Sequence, residues 1–203
     1  MEKKWTVKKD CRGLSTDEII EAILEDRGVE DIHALLYPDE GCLIPFEKLK
    51  NIDKAAKIIL DTIENDGSFF VHFDVDTDGV SAGSIAVRWL DKHVDRVACG
   101  INQGKEHGIA KFDISLLEGI DVLWIVDSIE TQMIPYERIL KDWDGKIIIT
   151  DHHLISKQMQ KRMEDTGRIV LVSSAVDYPN PALSGSATTW KLCAYCDWLE
   201  LDD

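Results

Sequence analysis

Apolar and polar positions along the chain change rhythm near residue 67. Before it, the spacing is helical. Ser15-Thr16-Asp17-Glu18 has the form of a capping box. Ile19, Ile20, Ile23 and Leu24 then recur at helical intervals, and Gly28 ends the run. A short helix is predicted over 31–36, stopped by Tyr37-Pro38, and 39–45 reads as a loop. A longer helix is predicted over 51–65, with Ile52, Ala55, Ala56, Ile59, Leu60 and Ile63 on one face. Beyond residue 67, short apolar runs alternate with amphipathic segments. Strands are predicted at 68–73, 96–99, 122–126, 146–150 and 169–172. Helices are predicted at 80–93, 113–117, 135–141, 156–165 and 186–199.

This alternation implies an α/β fold: a mainly parallel five-stranded sheet with helices on both faces. The expected organisation is a helical N-terminal arm over 1–66 and one α/β domain over 67–203. In such sheets ligands bind at the carboxyl ends of the strands.

Composition narrows the picture. With 44% hydrophobic and 30% charged residues, the chain can build a core and is not a disordered one. No apolar run has the length of a membrane span, and the basic start of the chain has no apolar stretch behind it. Five cysteines without framework spacing suggest a reduced, cytoplasmic protein. The net charge of −15 opposes simple coating of nucleic acid, so any such contact is local.

Acids collect just past three predicted strands. Asp74, Asp76 and Asp78, closed by Gly79, follow the first; Asp127 follows the third; Asp151-His152-His153 follows the fourth. A parallel sheet brings all three groups to one edge. Two carboxylates 4 Å apart repel by about 1 kcal/mol in water and about 4 kcal/mol at intermediate dielectric, and a cation relieves this. Carboxylate oxygens suit Mg²⁺ or Mn²⁺, and imidazole favours Mn²⁺. Two such ions clamp a phosphate and activate water, so the inferred chemistry is phosphoester hydrolysis. A calcium loop with the same opening needs a glutamate eleven residues after Asp74, where Ile85 stands.

Two more segments fit phosphate handling. Ser184-Gly185-Ser186 opens the last predicted helix, where free N–H groups suit an anion, although an ordinary capped helix start reads the same way. Lys105 and His107 lie in a polar, glycine-bounded stretch after the second strand. Other features are discounted. Cys193 and Cys196 have no second pair for zinc. Trp89, Trp124 and Trp190 read as core. Ser81, Ser84 and Ser184 lack a nucleophile-elbow context.

Taken together, Asp74-Val75-Asp76-Thr77-Asp78-Gly79, Asp127 and Asp151-His152-His153 resemble the first three motifs of the DHH phosphoesterases. Within that superfamily the chain most resembles the single-strand-specific exonucleases of the RecJ type. The likeness extends through 23–38, 49–84, 106–110 and 183–192, and covers roughly residues 15–195. The resemblance implies a two-ion site for Mn²⁺ or Mg²⁺. Asp76 and Asp78 each hold one ion, Asp127 bridges both, His152 is a ligand and Asp151 holds or orients it. His153 contacts the scissile phosphate. His72 or Asp74 completes the shell of the first ion. The implied substrate is single-stranded nucleic acid, with short oligonucleotides, cyclic dinucleotides or another small phosphoester as the alternative. A non-catalytic module of a replication or repair assembly is the other alternative. The family's fourth-motif aspartate and second domain have no counterpart up to Asp203, and the resemblance implies that a further domain or a partner chain completes the site.

Overall fold

The computed structural model describes residues 10–102 and 107–201, with the side chains of residues 200 and 201 excepted. It contains two compact units, Met1–Ile44 and Pro45–Asp203. In the first, α1 (Thr16–Asp26) starts from the expected capping box: Ser15 Oγ accepts from Glu18 N, and Glu18 Oε2 accepts from Ser15 N at 2.7 Å. Helix α2 (Ile32–Leu36) is capped by Asp31.

The second unit is built on β1 (Phe69–Phe73), β2 (Val97–Ile101), β3 (Val122–Val126), β4 (Lys146–Asp151) and β5 (Ile169–Ser173). All pair in parallel, in the order β2-β1-β3-β4-β5. β3 and β4 are buried on both faces, which is why they read as unbroken apolar runs rather than alternating ones. One face carries α3 (Ile52–Glu64), α4 (Thr77–Leu90) and α7 (Gly185–Leu201). The other carries α5 (Met133–Asp142) and α6 (Lys157–Asp165), packed on Leu123, Ile125, Ile147 and Ile149. The predicted helix over 113–117 is a 3-10 turn at Ile114–Leu117.

Helix α3 differs from its expected place. It buries Ile52, Ala55, Ala56 and Ile59 against α7 and β5, so it belongs to the sheet unit, although its periodicity alone assigned it to the arm. A helix pattern shows which face is buried but not what covers it.

From β1 the chain passes through α4 to the edge strand β2, then returns to β3 on the other side of β1. Past β3 it leaves through α5 on the opposite face. The β1 and β3 ends therefore form the topological switch point, where a crevice opens at the carboxyl edge. Among the described residues, no helix is long and apolar enough to cross a membrane.

Candidate metal centre

Each acidic group is set by local backbone. Helix α4 begins at Thr77, three residues earlier than the apolar pattern suggests, because Asp76 caps it: Oδ1 accepts from Gly79 N at 2.9 Å. This turn folds back onto β1, and a Cβ on Gly79 would meet the Asp74 carbonyl oxygen at 2.6 Å. Only glycine fits there. Asp78 on α4 points at the start of α7, where it accepts from Gly185 N and Ser186 N at 2.8 Å each.

Asp127 follows β3 in a left-handed conformation, φ +52°, at a cost of roughly 1 kcal/mol. It is buried, yet its Oδ1 accepts no hydrogen bond. His152 Nε2 lies 3.3 Å from that oxygen and 3.6 Å from Asp78 Oδ2. His153 Nδ1 lies 3.9 Å from it. Asp127, His152 and His153 each offer a ligand atom, all within 4.8 Å of one another.

Asp151 ends β4 wholly buried and fully bonded. Oδ1 accepts from His152 N at 2.6 Å, His153 N at 2.7 Å and His153 Nδ1 at 2.8 Å; Oδ2 accepts from Ile129 N at 2.8 Å. Its carboxylate thus grips the ring of His153, not that of His152. Beneath it, Trp124 Nε1 donates to Thr150 Oγ1, which shares a hydrogen bond with Thr189 Oγ1 at 2.7 Å.

Electrostatics report an uncompensated negative site. Burial, then the Asp151 and Asp78 carboxylates, push the Asp127 carboxyl up to about 8. The hydrogen bond that the His153 ring donates to Asp151 raises His153 to about 9. Burial works against ionisation of Asp78, but Ser186, Gly185 and His152 outweigh it and hold the carboxyl below the usual range. A buried carboxylate oxygen with no hydrogen-bond donor, beside two imidazoles and a second ionised carboxylate, fits a divalent cation.

Other predicted residues fall elsewhere. Asp74 is buried just past β1, with Oδ1 accepting from Val75 N at 2.7 Å and Oδ2 against His107 Nδ1. His72 points to the opposite face of the sheet, toward Asn102 and Gly108. The N–H groups of Gly185 and Ser186, expected to be open for a phosphate, are occupied by Asp78. Ser184 Oγ caps α7 through Ala187 N. Lys105 lies outside the described residues. Trp190, read as core, is instead 43% exposed, with the Phe46 ring tilted against it at 6.2 Å between centroids. Trp89 and Trp124 are core, and Cys193 and Cys196 are buried with them. Asn102, Ser128 and Ile129 escape sequence reasoning; their one signal is a position directly after a strand or beside Asp127.

No family model matches the chain. Two curated relatives do: the SPbeta prophage-derived protein YorK of Bacillus subtilis (strain 168) and its counterpart in Bacillus phage SPbeta. Both carry the provisional name single-strand DNA-specific exonuclease. Each is 30% identical over 177 residues, 86% of this chain and 29% of the relative. Among solved structures, exonuclease RecJ bound to manganese matches with a TM-score of 0.64 at 22% identity, over 78% of this chain and 40% of that one. RecJ from Thermus thermophilus, in complex with Mn²⁺, matches with 0.64 at 22% identity, over 88% and 24%. The DHH domain of a member of the s1p family of ribosomal proteins matches with 0.58 at 20% identity, over 89% and 46%. This chain has the fold of a RecJ-type DHH domain. The chain spans less than a third of the length of the curated relatives it matches. At these identities the solved structures establish its fold.

Proposed function

We propose that this DHH domain is the metal-binding catalytic domain of a nuclease acting on single strands, and that it works with two Mn²⁺ or Mg²⁺ ions. The observation that carries the reading is Asp127: buried, lacking a hydrogen bond on Oδ1, and flanked by His152, His153 and Asp78 at the switch point of the sheet. Asp76, Asp78, Asp127 and His152 hold the ions, with Asp74 beside them. Bound divalent cations supply Lewis acidity toward a phosphodiester and a nucleophile at neutral pH. The chain's own groups do the rest. Asp151 holds His153 by Nδ1, which leaves Nε2 free to face a phosphate oxygen. The imidazolium favoured at His153 places positive charge where the substrate brings negative charge. Asp78, steered by α7, keeps its carboxylate ionised for a ligand's role.

A fourth-motif aspartate and a closing domain come from a further part of a longer chain or from a partner. Five cysteines without framework spacing fit a reducing cytoplasm, and single-strand cleavage fits DNA repair. The net charge of −15 favours one second reading, a phosphodiesterase for short oligonucleotides or another small phosphoester.

The test is hydrolysis of end-labelled single-stranded DNA and of a dinucleotide, with Mn²⁺ and with EDTA. Mononucleotide release that needs Mn²⁺ and is lost in Asp127→Asn is the expected result. Cleavage that persists in EDTA overturns the metal-dependent reading. Cleavage of the dinucleotide alone selects the small-substrate reading.

A further inference from the structure

His72 is buried at the end of β1, edge-on to Phe112 with ring centroids 5.3 Å apart. Strand alternation puts it on the Phe70 face, away from Phe73, which packs under Gly83 of α4. Its Nε2 lies 3.1 Å from Asn102 Oδ1 and 3.4 Å from Gly108 O. The carbonyl of Gly108 only accepts, so Nε2 carries the hydrogen. Burial lowers the ring's affinity for a second proton.

Asn102 and Gly108 are tied a second time. Asn102 Nδ2 and Gly108 N donate to the same Ser128 Oγ, at 3.0 and 3.2 Å. Ser128 directly follows Asp127. The Asn102 side chain and the Gly108 backbone are therefore each bonded twice, to His72 at the end of β1 and to Ser128 just past β3. His107, next to Gly108, sets Nδ1 against Asp74 Oδ2. Gly108 has φ +80°, a conformation that favours glycine, and a Cβ there would meet Glu130 Oε2 at 2.9 Å.

We propose that His72 is a positioning residue: it holds Asn102 and Gly108 where His107 meets Asp74, and it is not itself a ligand of the metal. This rests on the proposed function only for Asp74 as part of the metal centre.

The test uses the full 203-residue chain. His72→Phe keeps the ring and its contact with Phe112 but has no N–H. His72→Gln keeps an N–H donor. Two readouts apply: imidazole nitrogen NMR in the absence of substrate, and calorimetric titration with Mn²⁺. In His72→Phe the His107 signals should move to those of a free imidazole while the His152 and His153 signals stay, and His72→Gln should restore them. Mn²⁺ affinity should change by less than about tenfold, the low end of what losing a group that orients a ligand costs. Asp74→Asn should lose more. His107 signals unchanged in His72→Phe overturn the proposal, as does a loss of Mn²⁺ affinity equal to that of Asp74→Asn. If His72→Phe fails to fold, Asn102→Ala takes its place: it should release His107, and unchanged His107 signals there overturn the proposal equally. None of these readouts needs hydrolysis, so failure of the nuclease reading leaves them decisive.

Discussion

A Cβ placed on Gly185 would stand 2.7 Å from Cγ of Asp127, and closer still to Oδ1. The first residue of α7 thus lies in van der Waals contact with the carboxylate at the centre of the site, while its N–H binds Asp78. One residue sets the place of two acids that are 49 positions apart in sequence. Gly185→Ala must therefore push Asp127 aside or tilt α7. We expect a stability loss of about 1–3 kcal/mol, the usual cost of overpacking, together with weaker Mn²⁺ binding. Denaturant unfolding and calorimetry measure the two. Unchanged Mn²⁺ affinity would show that α7 does not template the site.

Asp127→Asn should separate stability from metal binding. The carboxylate is buried among Asp151, Asp78 and Asp76, and its ionisation is resisted. A neutral amide removes that repulsion, so in EDTA the variant should melt at or above the wild-type temperature. In Mn²⁺ it should gain little. The wild type, with ion at about 100 times its Kd, should gain about 2.7 kcal/mol. A wild-type midpoint identical in EDTA and in Mn²⁺ counts against a metal centre.

Metal-free stability should fall as pH rises. The Asp127 carboxyl titrates at about 8 against an ordinary 3.8, so between these values the folded chain holds a proton that the unfolded chain has lost. His153 is raised from 6.5 to about 9, and its stabilisation is complete below 6.5 and lost as pH climbs through 9. The two effects have the same sign. The denaturation midpoint in EDTA should be higher at pH 6 than at pH 9. Mn²⁺ needs the ionised carboxylate, so its binding should release protons below pH 8 and strengthen as pH rises. A midpoint that rises from pH 6 to pH 9 in EDTA contradicts this.

Asp151→Asn tests orientation. Both oxygens of Asp151 are used by N–H donors from His152, His153 and Ile129. An amide has one acceptor oxygen, so it leaves at least one donor unpaired and costs about 1–3 kcal/mol. The pKa of His153 should fall back toward its ordinary value, since its largest cause is gone. An NMR titration of the His153 ring checks this. A His153 midpoint still near 9 would mean that Asp127 and Asp76, not Asp151, hold the proton.

The sequence by itself determined the strands, their parallel pairing and the edge where the acids gather. Strands buried on both faces need unbroken apolar runs, as in β3 and β4, and acids just past such runs have only the carboxyl edge to occupy. Their place just past the apolar runs singled out Asp127 and Asp151-His152-His153, and the fold brings Asp127, His152 and His153 within 4.8 Å of one another. Tertiary structure decided how these residues divide the work. Asp78 and Gly185 lie 107 positions apart, and no local pattern says that a carboxylate from α4 fills the N-terminus of α7. Nor does periodicity show that His72 turns to Asn102 and Gly108, because that depends on which face of β1 each helix covers. The same holds for α3, which left the arm for the sheet, and for Trp190, which left the core for the surface. Periodicity is a property of neighbours along the chain, whereas the site is assembled by packing between segments that meet only once the sheet has formed.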